Sequence, residues 1–162
     1  MTLEIKKSWM NVNEYDCQTH YIVVPFHKTL TYKDKWDYNR VPKTEATKYK
    51  HILIKHIPKE EKILDYHVHP GYKEMIFEMY TKKYTTIQKE KEIKQKLEQA
   101  GYKQHDYIPI TINENGWARI SRIPLTEKDI TKAKKITKAT KWYIEQTRDD
   151  GAFLMLKIPN KE

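Results

Sequence analysis

Pro70-Gly71 lies between two runs in which apolar and polar residues alternate, Leu64 to His69 and Glu74 to Met79. Pro fixes φ at the first central position of a type II turn and Gly supplies a positive φ at the second, so the chain should reverse here as a β-hairpin. Pairing His69 with Tyr72 across that turn sets His67 opposite Glu74 and Asp65 opposite Ile76. Side chains along a strand alternate between faces, so both strands then sort into two sides. Leu64, Tyr66, Val68, Met75, Phe77 and Met79 form an apolar side, and Asp65, His67, His69, Glu74 and Glu78 form a polar one.

The polar side carries the most chemistry. Two histidines two residues apart on a strand stand about 7 Å apart at Cα, which suits two ligands of one ion. His67, His69 and Glu74 together make the facial donor set of a divalent metal with open positions, manganese, zinc or iron. Asp65 or Glu78 then serves as catalytic base or as outer support for the ligands. His27, His51 and His56 are further candidate ligands. The same histidines also suit metal-free acid–base work, or simply the wet face of an antiparallel sheet.

His67-Val68-His69 resembles the metal-holding histidine pair of rolling-circle replication and relaxase endonucleases, and His67-x-His69 followed by Glu74 resembles the first metal motif of cupins. The first resemblance implies a divalent metal and a helical tyrosine nucleophile. Tyr80 stands close to the histidines on an expected strand, and Tyr143 lacks the accompanying lysine. The cupin pattern requires a second Gly-Pro-Gly…His motif that this chain lacks. Both resemblances cover short pieces only, and neither family is assigned.

Charge narrows the partners. The formal net charge of +9 attracts polyanions, nucleic acid first and anionic membrane surface second. Almost all of it is lysine, with Arg40, Arg119, Arg122 and Arg148 the only arginines, a bias that A·T-rich coding sequence also produces. The single cysteine, Cys17, excludes an intramolecular disulfide, and no apolar run reaches the length of a membrane span, so a cytoplasmic protein is expected. At 162 residues the chain fits one domain over 1–162, with residues 1–20 as a possible irregular arm and 28–50 as a long loop. No Walker loop, dinucleotide glycine fingerprint, zinc finger or serine elbow is found.

Along the chain, Tyr21 to Phe26 reads as a buried strand and His51 to Ile57 as a second strand, closed by Pro58. A strand over 72–80 precedes a helix that starts near Thr85 and ends at Gly101. Asn115-Gly116 marks a hairpin between Tyr107–Ile112 and Trp117–Ile123. Thr126 with Asp129 should cap a helix running to about Arg148, before a last strand from Phe153 to Ile158. On the helical wheel Ile130, Ala133, Ile136, Ala139, Tyr143 and Ile144 gather on one side, and Lys128, Lys134, Lys135, Lys138 and Lys141 on the other.

The expected fold is α+β, a mainly antiparallel sheet with two helices packed on one face. The expected function is a small basic nucleic-acid-binding protein of a virus or mobile element. It would use the lysine face of 128–141, with Trp36 and Tyr38 of the long loop stacking on unpaired bases. A metal-dependent hydrolase or nuclease using the histidine hairpin is the alternative. A protein-binding inhibitor or accessory factor meeting an acidic protein partner is the third.

Overall fold

Eight strands and three helices are present among the residues that the computed structural model describes, 4–12, 15–25, 43–71, 74–104, 108–147 and 151–159. The first sheet takes β1 (Lys6–Val12), β2 (Tyr15–Pro25), β3 (Glu61–Gly71) and β4 (Glu74–Lys83) in the order β1-β2-β4-β3, with α1 (Lys43–His56) between β2 and β3. After α2 (Tyr84–Gln99) comes a second sheet. Its strands are β5 (Thr111–Ile112), β6 (Trp117–Ile120), β7 (Lys141–Thr147) and β8 (Gly151–Lys157), ordered β5-β6-β8-β7, with α3 (Glu127–Thr137) between β6 and β7. The expected single sheet with two helices on one face is therefore corrected to two antiparallel sheets. The chain divides into two compact units, one of Met1–Met10 and Cys17–Tyr84 and the other of Asn11–Asp16 and Thr85–Glu162. Each follows the same path of two strands, a helix and two strands, the last strand entering between the second and third.

Each unit has its own core. In the first, Tyr49 and Leu53 of α1 join Ile22, Val24, Met75, Phe77 and Met79 of the sheet, with the Tyr49 and Phe77 rings 4.5 Å apart. Tyr66 partly covers this core and donates its hydroxyl to the Ala46 carbonyl at 2.7 Å, and burial pushes its pKa up to about 12. In the second, Ile93 and Leu97 of α2 and Ile130 and Ala133 of α3 cluster with Ile112, Ala118, Ile120, Leu154 and Leu156.

Residues 1–20, read as a possible irregular arm, contain β1 and the start of β2, and residues 43–50 of the expected 28–50 loop lie in α1, the rest of that loop lying outside the described residues. Three further readings of local structure are overturned. Residues 51–57, read as a strand, lie mostly in α1. Tyr49, Ile52, Leu53 and Ile57 recur at helical spacing onto the core, and that packing outweighs the strand preference of the isoleucines. The helix from Thr126 stops at Thr137, and Lys141–Thr147 is strand β7. There Lys138 takes the left-handed conformation at φ 60 and its N–H reaches back to the Lys134 and Lys135 carbonyls. A lysine ending a helix in the conformation that glycine favours gives no sequence signal. It also costs stability, so Lys138→Gly is expected to raise the unfolding free energy by about 1 kcal/mol, and a fall in chemical-denaturation stability would contradict that assignment.

The third concerns the histidine hairpin. β3 and β4 are already paired at Gly71 with Glu74, so the reversal lies beyond Pro70-Gly71. As β3 ends its sheet, Pro70 is tolerated inside an edge strand. His67 consequently faces Glu78, His69 faces Ile76 and Asp65 faces Tyr80. This register differs from the expected one by an even number of residues, so Tyr66, Val68, Met75, Phe77 and Met79 still share the core face. Leu64 does not: it is the extra residue of a β-bulge between Ile63 and Asp65, and it is 37% exposed.

The Asn115-Gly116 turn forms as expected, with Gly116 at φ 83 and the Asn113 side chain accepting from the Asn115 and Trp117 N–H groups. Thr126 caps α3 by accepting from the Asp129 N–H. Gly101 follows α2 at φ 96.

Candidate functional site

The outer face of the β3–β4 hairpin holds a half-open network of two histidines, two carboxylates and a tyrosine. Cross-strand pairing with β2 and β4 forms rows across the sheet: Asp65 with Tyr80 and Thr19, His67 with Glu78 and Tyr21, and His69 with Ile76 and Val23. His67 Nε2 donates to Asp65 Oδ2 at 2.9 Å, and Asp65 Oδ1 accepts from the Tyr66 N–H at 2.8 Å. His69 Nε2 meets Glu78 Oε2 at 3.0 Å, and the Tyr80 hydroxyl donates to the same oxygen at 2.9 Å. The His67 and Tyr80 rings lie 4.9 Å apart. In the neutral imidazole each Nε2–H given to a carboxylate leaves the basic lone pair on Nδ1, which is the form a general base requires.

Asp65, His67, His69 and Glu78 are thus brought together, and Glu74 is not. Glu74 lies opposite Gly71 and Pro25, beyond the His69 row and two rows from His67. Of the expected metal donors, His67 and His69 each turn Nε2 to a separate carboxylate, and Glu74 stands two rows from His67. Among the described residues no group of three histidine, cysteine or acidic side chains is arranged to hold a metal ion.

The opposite face of the same sheet carries a buried cluster that simple alternation hides. His20 on β2 is 1% exposed, and its Nε2 donates to Glu61 Oε1 at 3.1 Å. The Thr81 hydroxyl donates to that same oxygen at 2.6 Å. The bulge at Leu64 makes this possible: strict alternation from Asp65 and His67 would turn Glu61 outward, and one extra residue reverses the phase so that it faces inward. Burial opposes ionisation of Glu61, but the hydrogen bonds from Thr81 and His20 and the charges of His20 and Lys7 hold its pKa below the usual 4.5. His56 at the end of α1 stands edge-on to His20, ring centres 5.8 Å apart. His20 Nδ1 is buried without a hydrogen-bond partner among the described residues.

The lysines fall on two elements instead of one helix. Lys128 and Lys135 are exposed on α3, Lys134 is half-buried at its flank, Lys138 is the exposed cap, and Lys141 begins β7. Lys132, outside the expected set, completes an exposed stripe with Lys128 and Lys135, opposite the buried Ile130, Ala133 and Thr137. Two carboxylates flank this stripe, the exposed Glu127 and Asp129; Asp129 is engaged by the hydroxyls of Thr126 and Tyr102 at 2.6 Å each, and these bonds, with the charges of Lys128 and Lys132, hold its pKa low. Trp36 and Tyr38 lie outside the described residues.

Among the described residues no helix is long and apolar enough to cross a membrane. No protein-family model matches this chain, and no curated protein or solved structure matches it.

Proposed function

We propose that this protein binds nucleic acid as a polyanion along the lysine stripe of α3. The observation behind this reading is the placement of Lys128, Lys132 and Lys135, three exposed cations on one helix face in a chain of net charge +9. At helical spacing they span about 10 Å, comparable with the screening length at physiological salt, so their fields add at one stretch of phosphates. Lys138, the exposed C-cap of α3, adds a further cation beyond the stripe.

Binding of labelled single- and double-stranded oligonucleotides, followed by anisotropy across a salt series, tests it. Three neutralised phosphates imply a log–log slope of about −2 to −3. Affinity that stays flat with salt would remove the proposal.

A second reading rests on the hairpin network, where both histidines are carboxylate-paired and open to solvent at 45% side-chain exposure. Such pairs suit general acid–base attack on a phosphodiester, with His67 as base and Asp65 orienting it. In that case His67→Ala slows oligonucleotide cleavage by about a hundredfold or more and leaves binding unchanged. Cleavage that is absent in the wild type, or that survives His67→Ala, eliminates the reading.

A further inference from the structure

β7 is an end strand of its sheet, hydrogen-bonded to β8 on one side, and it carries consecutive large apolar side chains in the open: Trp142 is 46% exposed, Tyr143 41% and Ile144 39%. Natural edge strands are usually blunted by proline, bulges or a row of charges, because their unpaired backbone groups recruit another strand. This one has no proline, and its register with β8 runs without a break from Lys141 to Thr147.

From this edge we propose that two copies of the chain associate by antiparallel pairing of β7 with β7 about a two-fold axis at Tyr143, joining their second sheets into one. The sequence Lys141-Trp142-Tyr143-Ile144-Glu145 is self-complementary in that register alone. Lys141 falls opposite Glu145 of the second copy, twice by symmetry, and Trp142 falls opposite Ile144, also twice. Moving the axis by one residue either way sets Lys141 against Tyr143 or Tyr143 against Glu145, and matches neither the charges nor the apolar pairs.

Two features of the single chain fit this occupant. Lys141 pairs across the sheet with Lys157 on β8, whose ammonium turns to the Asn115 carbonyl and the Trp117 ring, so no carboxylate of its own sheet row neutralises Lys141 and an incoming Glu145 supplies one. On the other face, Trp142 and Ile144 line a groove of about 510 Å³ with Leu125 and Ile130, and they extend past the cover that α3 provides. In the pair, each Trp142 and Ile144 meets its counterpart along the seam, so the grooves of the two copies run into one another. The pairing is independent of the nucleic-acid reading, since Lys128, Lys132 and Lys135 take no part in it.

Sedimentation velocity over a range of protein concentrations tests the arrangement. Wild-type chain should shift from monomer towards dimer as concentration rises. Trp142→Glu should stay monomeric at concentrations where the wild type dimerises, a weakening of about tenfold or more. Lys141→Glu and Glu145→Lys should each weaken the dimer by opposing like charges, while the double exchange Lys141→Glu/Glu145→Lys should restore it, which also shows that the variants fold. A wild type that remains monomeric throughout overturns the proposal, as does a Trp142→Glu protein that dimerises like the wild type or a double exchange that restores nothing.

Discussion

Glu61→Ala is expected to lower the unfolding free energy by about 3 kcal/mol, the cost of removing one partner from a buried polar pair. The Glu61 side chain is 7% exposed and the His20 side chain 2%, so water has little access to replace the lost acceptor. Both the His20 Nε2–H and the Thr81 hydroxyl point at the one Glu61 oxygen, and both would be left unsatisfied. Thr81→Val, which keeps the shape and removes one hydrogen bond, should cost about 1 kcal/mol. Chemical denaturation of the three proteins side by side measures this, and a Glu61→Ala loss no larger than that of an exposed substitution would show that the cluster contributes nothing. The pH dependence has a definite sign. Because the folded pKa lies below the usual 4.5, the unfolded carboxylate takes up its proton first on acidification. The stabilisation from Glu61 is therefore complete above that value and is lost as pH falls through the folded pKa. Glu61→Gln should flatten the acid limb of the stability profile.

Reversing the stripe with Lys128/Lys132/Lys135→Glu should reduce oligonucleotide affinity by about tenfold or more at low salt and make the salt slope shallower by about 3. All three side chains are exposed and none belongs to the buried cluster of α3, so the fold should tolerate the change. His67→Ala provides the control, because the hairpin network shares no residue with α3. If the reversed stripe binds as tightly as the wild type, the contact lies elsewhere in the +9 charge distribution and the assignment to α3 fails.

Features with a strictly local cause could be read from the residues. The Asn115-Gly116 turn, the Thr126 cap and the glycine after α2 each depend on one or two side chains, and each is found where expected. The two faces of the histidine hairpin were also readable, since any even shift of register preserves them. The pairing itself was not, because Pro70-Gly71 has the chemistry of a turn and only the edge position of β3 lets it lie within a strand. That shift separates Glu74 from His67 and brings in Glu78 and Tyr80. The buried cluster was hidden for a different reason. A one-residue bulge at Leu64 moves Glu61 to the opposite face, and its partners come from β2 and β4, twenty and more positions away. The lysine face failed at Lys138, where a helix ends without glycine or proline and the following Tyr143 and Ile144 continue the helical spacing while forming a strand.

The repeated strand path has a consequence for how the chain reaches this structure. Within each unit, β3 meets β4 and β7 meets β8 through short connections, contacts of the kind that form in about 1–10 μs. The seams between β2 and β4 and between β6 and β8 are different: Gln18 must find Thr81, and Ile120 must find Leu154, each across an intervening helix. Each unit is in effect a pair of quickly made hairpins waiting on one slow join, and the first join encloses the longer loop. Refolding should therefore show substitutions along the β2–β4 seam, such as Ile22→Val opposite Phe77, slowing the folding arm, with the second unit acquiring its protection from exchange ahead of the first.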